Sequence, residues 1–172
     1  MLKRAKRLLY RGLVAAVGIF FNTLNLVMGG NLPPFGCVCV ITRDEEQDKY
    51  LVVERPEGEY VFPGGYMRWR ESPTQTVQRE GKEETGLKLE VMGLVGCSST
   101  ATERIGQMST VAIVYEAKVV GGELKNSIEG RACWHNEAEL MENLHQQQKN
   151  MFVHYLQYRE ERKKLKRFSV SG

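Results

Sequence analysis

The sequence lacks the residues of several common functional classes. It has no Cys-x-x-Cys pair, and its three histidines (His135, His145, His154) complete no zinc pattern, which sets aside zinc-ribbon and zinc-finger readings. Its four cysteines, Cys37, Cys39, Cys97 and Cys133, read as small apolar core thiols in a reducing, cytoplasmic compartment. There is no internal repeat and no low-complexity tract, and no proline follows Pro73. No acid occurs before Asp44, and no charge of either sign lies between Arg11 and Arg43. The strictly apolar stretch in that gap runs only from Gly12 to Phe21, short of the ~20 residues a spanning helix needs. No Ala-x-Ala-like site follows it, so it does not read as a signal peptide.

What is present is a chain of 172 residues, enough for one domain with a real core, with an ordinary 42% hydrophobic and 26% charged content. The net charge of +3 is unevenly spread. Five basic residues (Lys3, Arg4, Lys6, Arg7, Arg11) open the chain, and six against two acids close it over 159–172, so the body between is acidic. An acidic body fits a cation site, and basic ends fit an anionic surface or nucleic acid.

Residues 1–28 read as one helix. Arg4, Arg7, Arg11, Ala15, Gly18, Asn22, Asn25 and Gly29 form a single stripe, and the rest of the surface is apolar. Such an arc needs cover from the domain, a second subunit or a lipid surface. A spanning helix would keep its basic end in the cytoplasm and carry the following domain outside. The expected organisation is a basic, apolar helix and linker over 1–30, a core over 31–145, and a C-terminal helix with a basic tail over 146–172. Strands are expected at Phe35–Thr42, Tyr50–Glu54, Leu89–Ser98, Ser109–Val119 and Ala132–His135, with helices at Glu137–Leu144 and Gln146–Lys166. In the last helix Met151, Phe152, Tyr155 and Leu156 share a face. Strands and helices mix without regular alternation, an α+β pattern.

The segment with chemistry is Ser72–Gly86, expected to be one helix. Ser72 is an N-cap, Pro73 suits the first position, Gln75 completes a capping box and Gly86 stops it. Glu80, Glu83 and Glu84 at i, i+3 and i+4 share one face. Two unit charges ~5 Å apart repel by roughly 3 kcal/mol at an effective dielectric of 20. Taken alone, the helix reads more readily as a solvated acidic face with Arg79 and Lys82 nearby; the other reading is a cation site, whose oxygen-only ligands select a hard ion, Mg²⁺ or Mn²⁺. Phe62-Pro63-Gly64-Gly65 ahead of them is expected to form a tight turn whose backbone approaches a ligand closely.

From Gly65 the chain reads Gly, five residues, Glu71, seven residues, Arg79-Glu80-Gly81-Lys82-Glu83-Glu84-Thr85-Gly86-Leu87. This resembles the signature of the Nudix hydrolases, Gly-x(5)-Glu-x(7)-Arg-Glu-U-x-Glu-Glu-x-Gly-U with U bulky and aliphatic; eight of nine positions match. The resemblance implies an α/β/α sandwich with a mixed sheet, to which the N-terminal apolar helix is an addition. It implies hydrolysis of a phosphoanhydride bond in a nucleoside diphosphate derivative or triphosphate, with nucleic acid not expected as a partner. The alternative is a ligand- or RNA-binding module of the same fold without turnover. By the same resemblance Glu80, Glu83 and Glu84 hold metal with the Gly64 carbonyl, and Arg79 orients them. Glu71 fixes the loop, Glu80 takes the water proton, and a later loop acid completes the site: Glu129, with Glu123 behind it. Tyr66, Arg68 and Trp69 are candidate substrate contacts. The proline that relatives acting on ADP-ribose carry about sixteen residues after the signature is replaced by Glu103, which leans towards other nucleotides. Gly81 departs from the pattern and leaves a core position that the N-terminal helix is a candidate to fill.

Overall fold

The computed structural model describes residues 2–102 and 104–170, with side chains described except at 2–4, 6, 7, 10, 11 and 166–170. The side chains of Lys3, Arg4, Lys6, Arg7, Arg11, Lys166 and Arg167, which make the ends basic, and Glu103 lie outside that description. The elements run α1 (Leu2–Val27), β1 (Phe35–Asp44), β2 (Lys49–Glu54), β3 (Tyr60–Val61), β4 (Gly64–Tyr66) and α2 (Pro73–Glu80), with a π-turn at Gly81–Thr85. There follow β5 (Leu87–Thr100), β6 (Thr110–Gly122), β7 (Arg131–His135), α3 (Glu137–Asn143) and α4 (Gln146–Val170).

The strand order is β3-β2-β1-β6-β5, with β4 also on β1 and β7 on β2. β1 and β6 are parallel and the other pairs antiparallel, so the sheet is mixed. Alternation along β1 divides the core in two, because successive strand side chains point to opposite faces. Cys39 and Ile41 join Tyr50, Phe62, Leu140, Phe152 and Tyr155 under α3 and α4. Val38 and Val40 join Leu51, Val77, Leu87 and Leu89 under α2. The result is a sheet with helices on both faces. Phe152 and Tyr155 of α4 are fully buried, and Met151 and Leu156 pack beside them.

Several expectations need correction. Gly64-Gly65 is not a free tight turn but the start of β4, paired with β1 at Val38↔Gly65 and Cys39↔Gly64. Three-residue strands leave no period for a sequence reading to detect. The Ser72–Gly86 helix starts as expected, with both halves of the capping box made and Pro73 first, and Gly86 ends it at φ 77. Its last turn, however, widens to a π-turn from Gly81 onward. Only Cys39 of the four cysteines is a core thiol; Cys37 and Cys133 are half-buried and Cys97 is exposed, all four free.

The space beside Gly81 is filled from within the domain, not by α1. A Cβ there would stand 2.6 Å from Leu89 Cδ1 and 2.7 Å from its Cγ. α1 instead rests against the 105–107 turn. Asn22 Nδ2 donates to the carbonyls of Ile105 (2.8 Å) and Gln107 (2.6 Å), and a Cβ on Gly18 would sit 2.7 Å from the Gly106 carbonyl oxygen. The stripe that the sequence marks as polar and small is thus the face that meets the domain. Among the described residues no helix is long and apolar enough to cross a membrane.

The Leu89 contact decides the sign of one substitution. In an isolated helix Gly→Ala gains ~1 kcal/mol, but forcing a methyl into a filled core costs ~1–3 kcal/mol. Gly81→Ala is expected to lower the urea midpoint, and adding Leu89→Ala is expected to make the two changes less costly together than the sum of each alone. A more stable Gly81→Ala single variant would contradict the packing.

Candidate functional site

The site is built by α2 with its π-turn, the 66–71 loop and the 127–130 turn. Arg79 is its hub. Its Nε and Nη2 bind the two oxygens of Glu71 at 2.8 and 2.9 Å. Its Nη1 donates to Glu80 Oε1 (2.5 Å) and Glu83 Oε2 (3.2 Å), and Nη2 also donates to the Tyr66 carbonyl (3.0 Å). Arg79 is nearly buried, and its acidic partners hold its pKa above the usual arginine value, with the Glu71 hydrogen bonds the largest cause.

Glu71 also accepts from the Arg68 backbone N–H (3.0 Å) and the Thr76 hydroxyl (2.9 Å). The Arg79 hydrogen bonds, more than any other cause, bring its pKa down to about 2. A carboxylate lowered in the fold contributes stability that is full above its unfolded pKa of ~4.3 and lost as pH falls towards 2. Glu71 therefore ties Arg79 and Thr76 to the 66–71 loop.

The acids behave differently from one another. Glu80 is buried, and desolvation raises its pKa against the pull of Arg79. Glu84 is buried and accepts from the Gly64 N–H at 3.0 Å. Its pKa is pushed up to about 9, first by desolvation and then by Glu129 beside it. Glu83 is half-exposed and binds Arg68 Nη2 at 3.1 Å. Glu129 comes from a turn in which its own N–H donates to Ser127 Oγ and the Ser127 N–H donates to the Gly130 carbonyl. Glu123 does not join the cluster; it is solvated and faces Lys125 at 3.8 Å.

Sequence reasoning missed why that turn lies where it does. Gly130 packs so close to β2 that a Cβ would stand 2.2 Å from the Glu54 carbonyl oxygen. Gly130 is the only local signal, and it acquires meaning only once β7 is paired with β2. Gly65 makes a similar approach: a Cβ there would be 2.3 Å from Glu80 Oε1.

Among the described residues no three acidic, histidine or cysteine side chains already converge as a finished metal cage. The donor set nevertheless fits a hard cation. Buried carboxyls of Glu80 and Glu84 adjoin Glu129 with one guanidinium among them, and Gly65 leaves room for the Glu80 carboxylate. Oxygen donors of this kind suit Mg²⁺ or Mn²⁺, and a divalent ion would offset the desolvation and the Glu129 charge that raise the Glu84 pKa.

The candidate substrate contacts separate. Tyr66 packs its ring edge-on against Phe35, with centroids 6.2 Å apart, so half of it is loop packing. Arg68 is engaged by Glu83. Trp69 is 88% exposed and lines a cleft of about 880 Å³ whose other walls are the C-terminal half of α1, the 32–36 linker and the facing ends of β5 and β6.

The NUDIX domain model matches residues 33–155. An ADP-ribose pyrophosphatase of Methanocaldococcus jannaschii is 36% identical over 85 residues, 47% of this chain and 50% of that protein. A MutT-like protein of Streptomyces ambofaciens is 34% identical over 101 residues, 58% of this chain and 62% of that one. The matches thus span half to three-fifths of these relatives' lengths. The MutT protein of Methanosarcina mazei Go1 superposes with a TM-score of 0.63 at 23% identity, covering 75% of this chain and 97% of that one.

Two outcomes test the cluster. Glu84→Gln keeps an acceptor for the Gly64 N–H and removes a repelling acid. Its melting temperature in chelator should equal or exceed that of the parent, while the rise that Mg²⁺ gives the parent should disappear. In an assay with an accepted nucleotide, Glu129→Gln should lower kcat by ~10–100-fold, the scale for disturbing a metal site, and Glu123→Gln should change it little. The opposite ranking would move the loop acid to Glu123.

Proposed function

This chain belongs to the Nudix family, and from that premise we propose that it hydrolyses a phosphoanhydride bond in a nucleoside diphosphate derivative or a nucleoside triphosphate. The observation that carries the reading is that the buried carboxyls of Glu80 and Glu84, both with pKa values raised by desolvation, meet the carboxylate of Glu129. We assign Glu80, Glu83, Glu84 and Glu129, with the Gly64 carbonyl, to Mg²⁺ or Mn²⁺. Bound there, the metal would neutralise the diphosphate, activate water and stabilise the leaving oxygen.

The chain's own residues do the positioning. Arg79 holds Glu80 and Glu83 in orientation through one planar fork, and Glu71 anchors that fork. Glu80, with its pKa raised by burial, is suited to accept the proton of the attacking water. Arg68 faces Glu83 and is placed to exchange that carboxylate for a phosphate oxygen once a cation takes its place. We assign the organic end of the substrate to the cleft beside Trp69, whose exposed indole offers a stacking face to a base. A binding module without turnover would have no use for this set of carboxylates.

Hydrolysis of an accepted nucleotide should vanish in chelator and return with Mg²⁺ or Mn²⁺; chelator-resistant turnover would sink the mechanism. In a panel of nucleoside triphosphates and sugar- or nucleoside-linked diphosphates, Trp69→Ala should raise KM roughly tenfold for the preferred substrate, the scale of one lost stacking contact of ~1–1.5 kcal/mol, with kcat nearly unchanged. A fall confined to kcat would remove Trp69 from binding.

A further inference from the structure

α1 is turned inside out relative to an ordinary surface helix. A helix packed on a domain normally buries its apolar stripe and shows its polar one. Here Gly18, Asn22 and Asn25 face inward: Gly18 is buried against Gly106, Asn22 donates two hydrogen bonds to the 105–107 turn, and Asn25 accepts from the Leu32 N–H at 2.9 Å. These contacts fix the rotation of the helix. The opposite face is then left to solvent, and it carries Leu9 (77% exposed), Leu13 (62%), Phe20 (63%) and Val27 (79%), flanked by Ile19 and Leu24. The one hydroxyl among them, Thr23, donates to the Ile19 carbonyl at 2.7 Å, so its donor is already satisfied within the helix.

We propose that this face seats the domain on an anionic lipid surface, with α1 lying in the plane of the interface. Charge favours lipid over a second copy of the chain. Arg4, Arg7 and Arg11 continue the polar stripe, and with five basic residues among the first eleven and no acid before Asp44 this end of the chain offers a second copy no opposite charge, whereas an anionic bilayer supplies it. Among the described residues no helix is fit to span, and a face of large apolar side chains backed by a polar stripe is the form that lies flat at the headgroup boundary. Because the polar stripe holds the catalytic domain, the domain and its cleft sit on the water side.

The test is co-sedimentation of the full chain with vesicles of equal parts phosphatidylcholine and phosphatidylglycerol, and with phosphatidylcholine alone. Binding is expected on the anionic vesicles, falling roughly tenfold or more on neutral ones and in ~1 M salt, where the Debye length shrinks to ~3 Å. The combined change Leu9→Ser, Leu13→Ser and Phe20→Ser should lower anionic binding by at least roughly tenfold, since membrane affinity scales with apolar area inserted. Metal-dependent hydrolysis of a soluble nucleotide and the melting temperature should stay at parent values. A second variant, Lys3→Gln, Lys6→Gln and Arg7→Gln, leaves the apolar face intact and should weaken binding on anionic vesicles only. Absence of binding by the parent, or parent-level binding by both variants, overturns the proposal. So does a parent dimer in sedimentation equilibrium that the serine variant dissociates, which would assign the face to a second copy.

Discussion

The site depends on one guanidinium. Three carboxylates on a single helix face repel, and a fourth arrives from the 127–130 turn. Arg79 makes this arrangement tenable because its planar fork serves Glu71, Glu80, Glu83 and the Tyr66 carbonyl together. A lysine ammonium, compact and without a bidentate edge, could not hold those directions at once. The fork also splits the acids by role. Glu71 receives two of its bonds and stays ionised, while Glu84 receives none and is left to burial and to Glu129. One structural carboxylate and one strained carboxyl therefore arise within a single helix and its preceding loop.

Around that hub, elements are brought together at distances only glycine permits. Gly64 lies on β1 where a Cβ would stand 2.2 Å from the Val38 carbonyl oxygen, Gly65 against Glu80, and Gly130 against β2. Each approach fixes how closely two elements pack. Gly81 belongs to a different set. There the aliphatic side chain expected in the helix is exchanged for one reaching in from β5, so Leu89 fills the same volume from the opposite direction. The core density is kept while its donor changes, as interiors packed close to crystal density require.

The α1 contact joins the two regions. Asn22 and Asn25 anchor the helix, and the same stretch walls the cleft that Trp69 lines. A segment that could pass for an appendage thus shapes the space beside the site on one side and presents an apolar face on the other.

α2, its cap and the Gly86 stop, the carboxylate face, the longer strands and the α4 core face were all legible in the sequence, because period, spacing and capping chemistry are local properties of the chain. The inverse was true of β3, β4 and the π-turn, whose two- to five-residue lengths carry no period. Sequence order places Glu129 ahead of Glu123, but only strand pairing shows why their surroundings differ: β7 on β2 presses Gly130 to the Glu54 carbonyl with Glu129 beside Glu84, while Glu123 is left in water beside Lys125. The stripe on α1 was visible too, yet not its direction. Whether a helix buries its polar or its apolar side is settled by what the partner surface offers. Here that surface is the bare carbonyls of Ile105 and Gln107, which call for amide donors and leave the leucines outside.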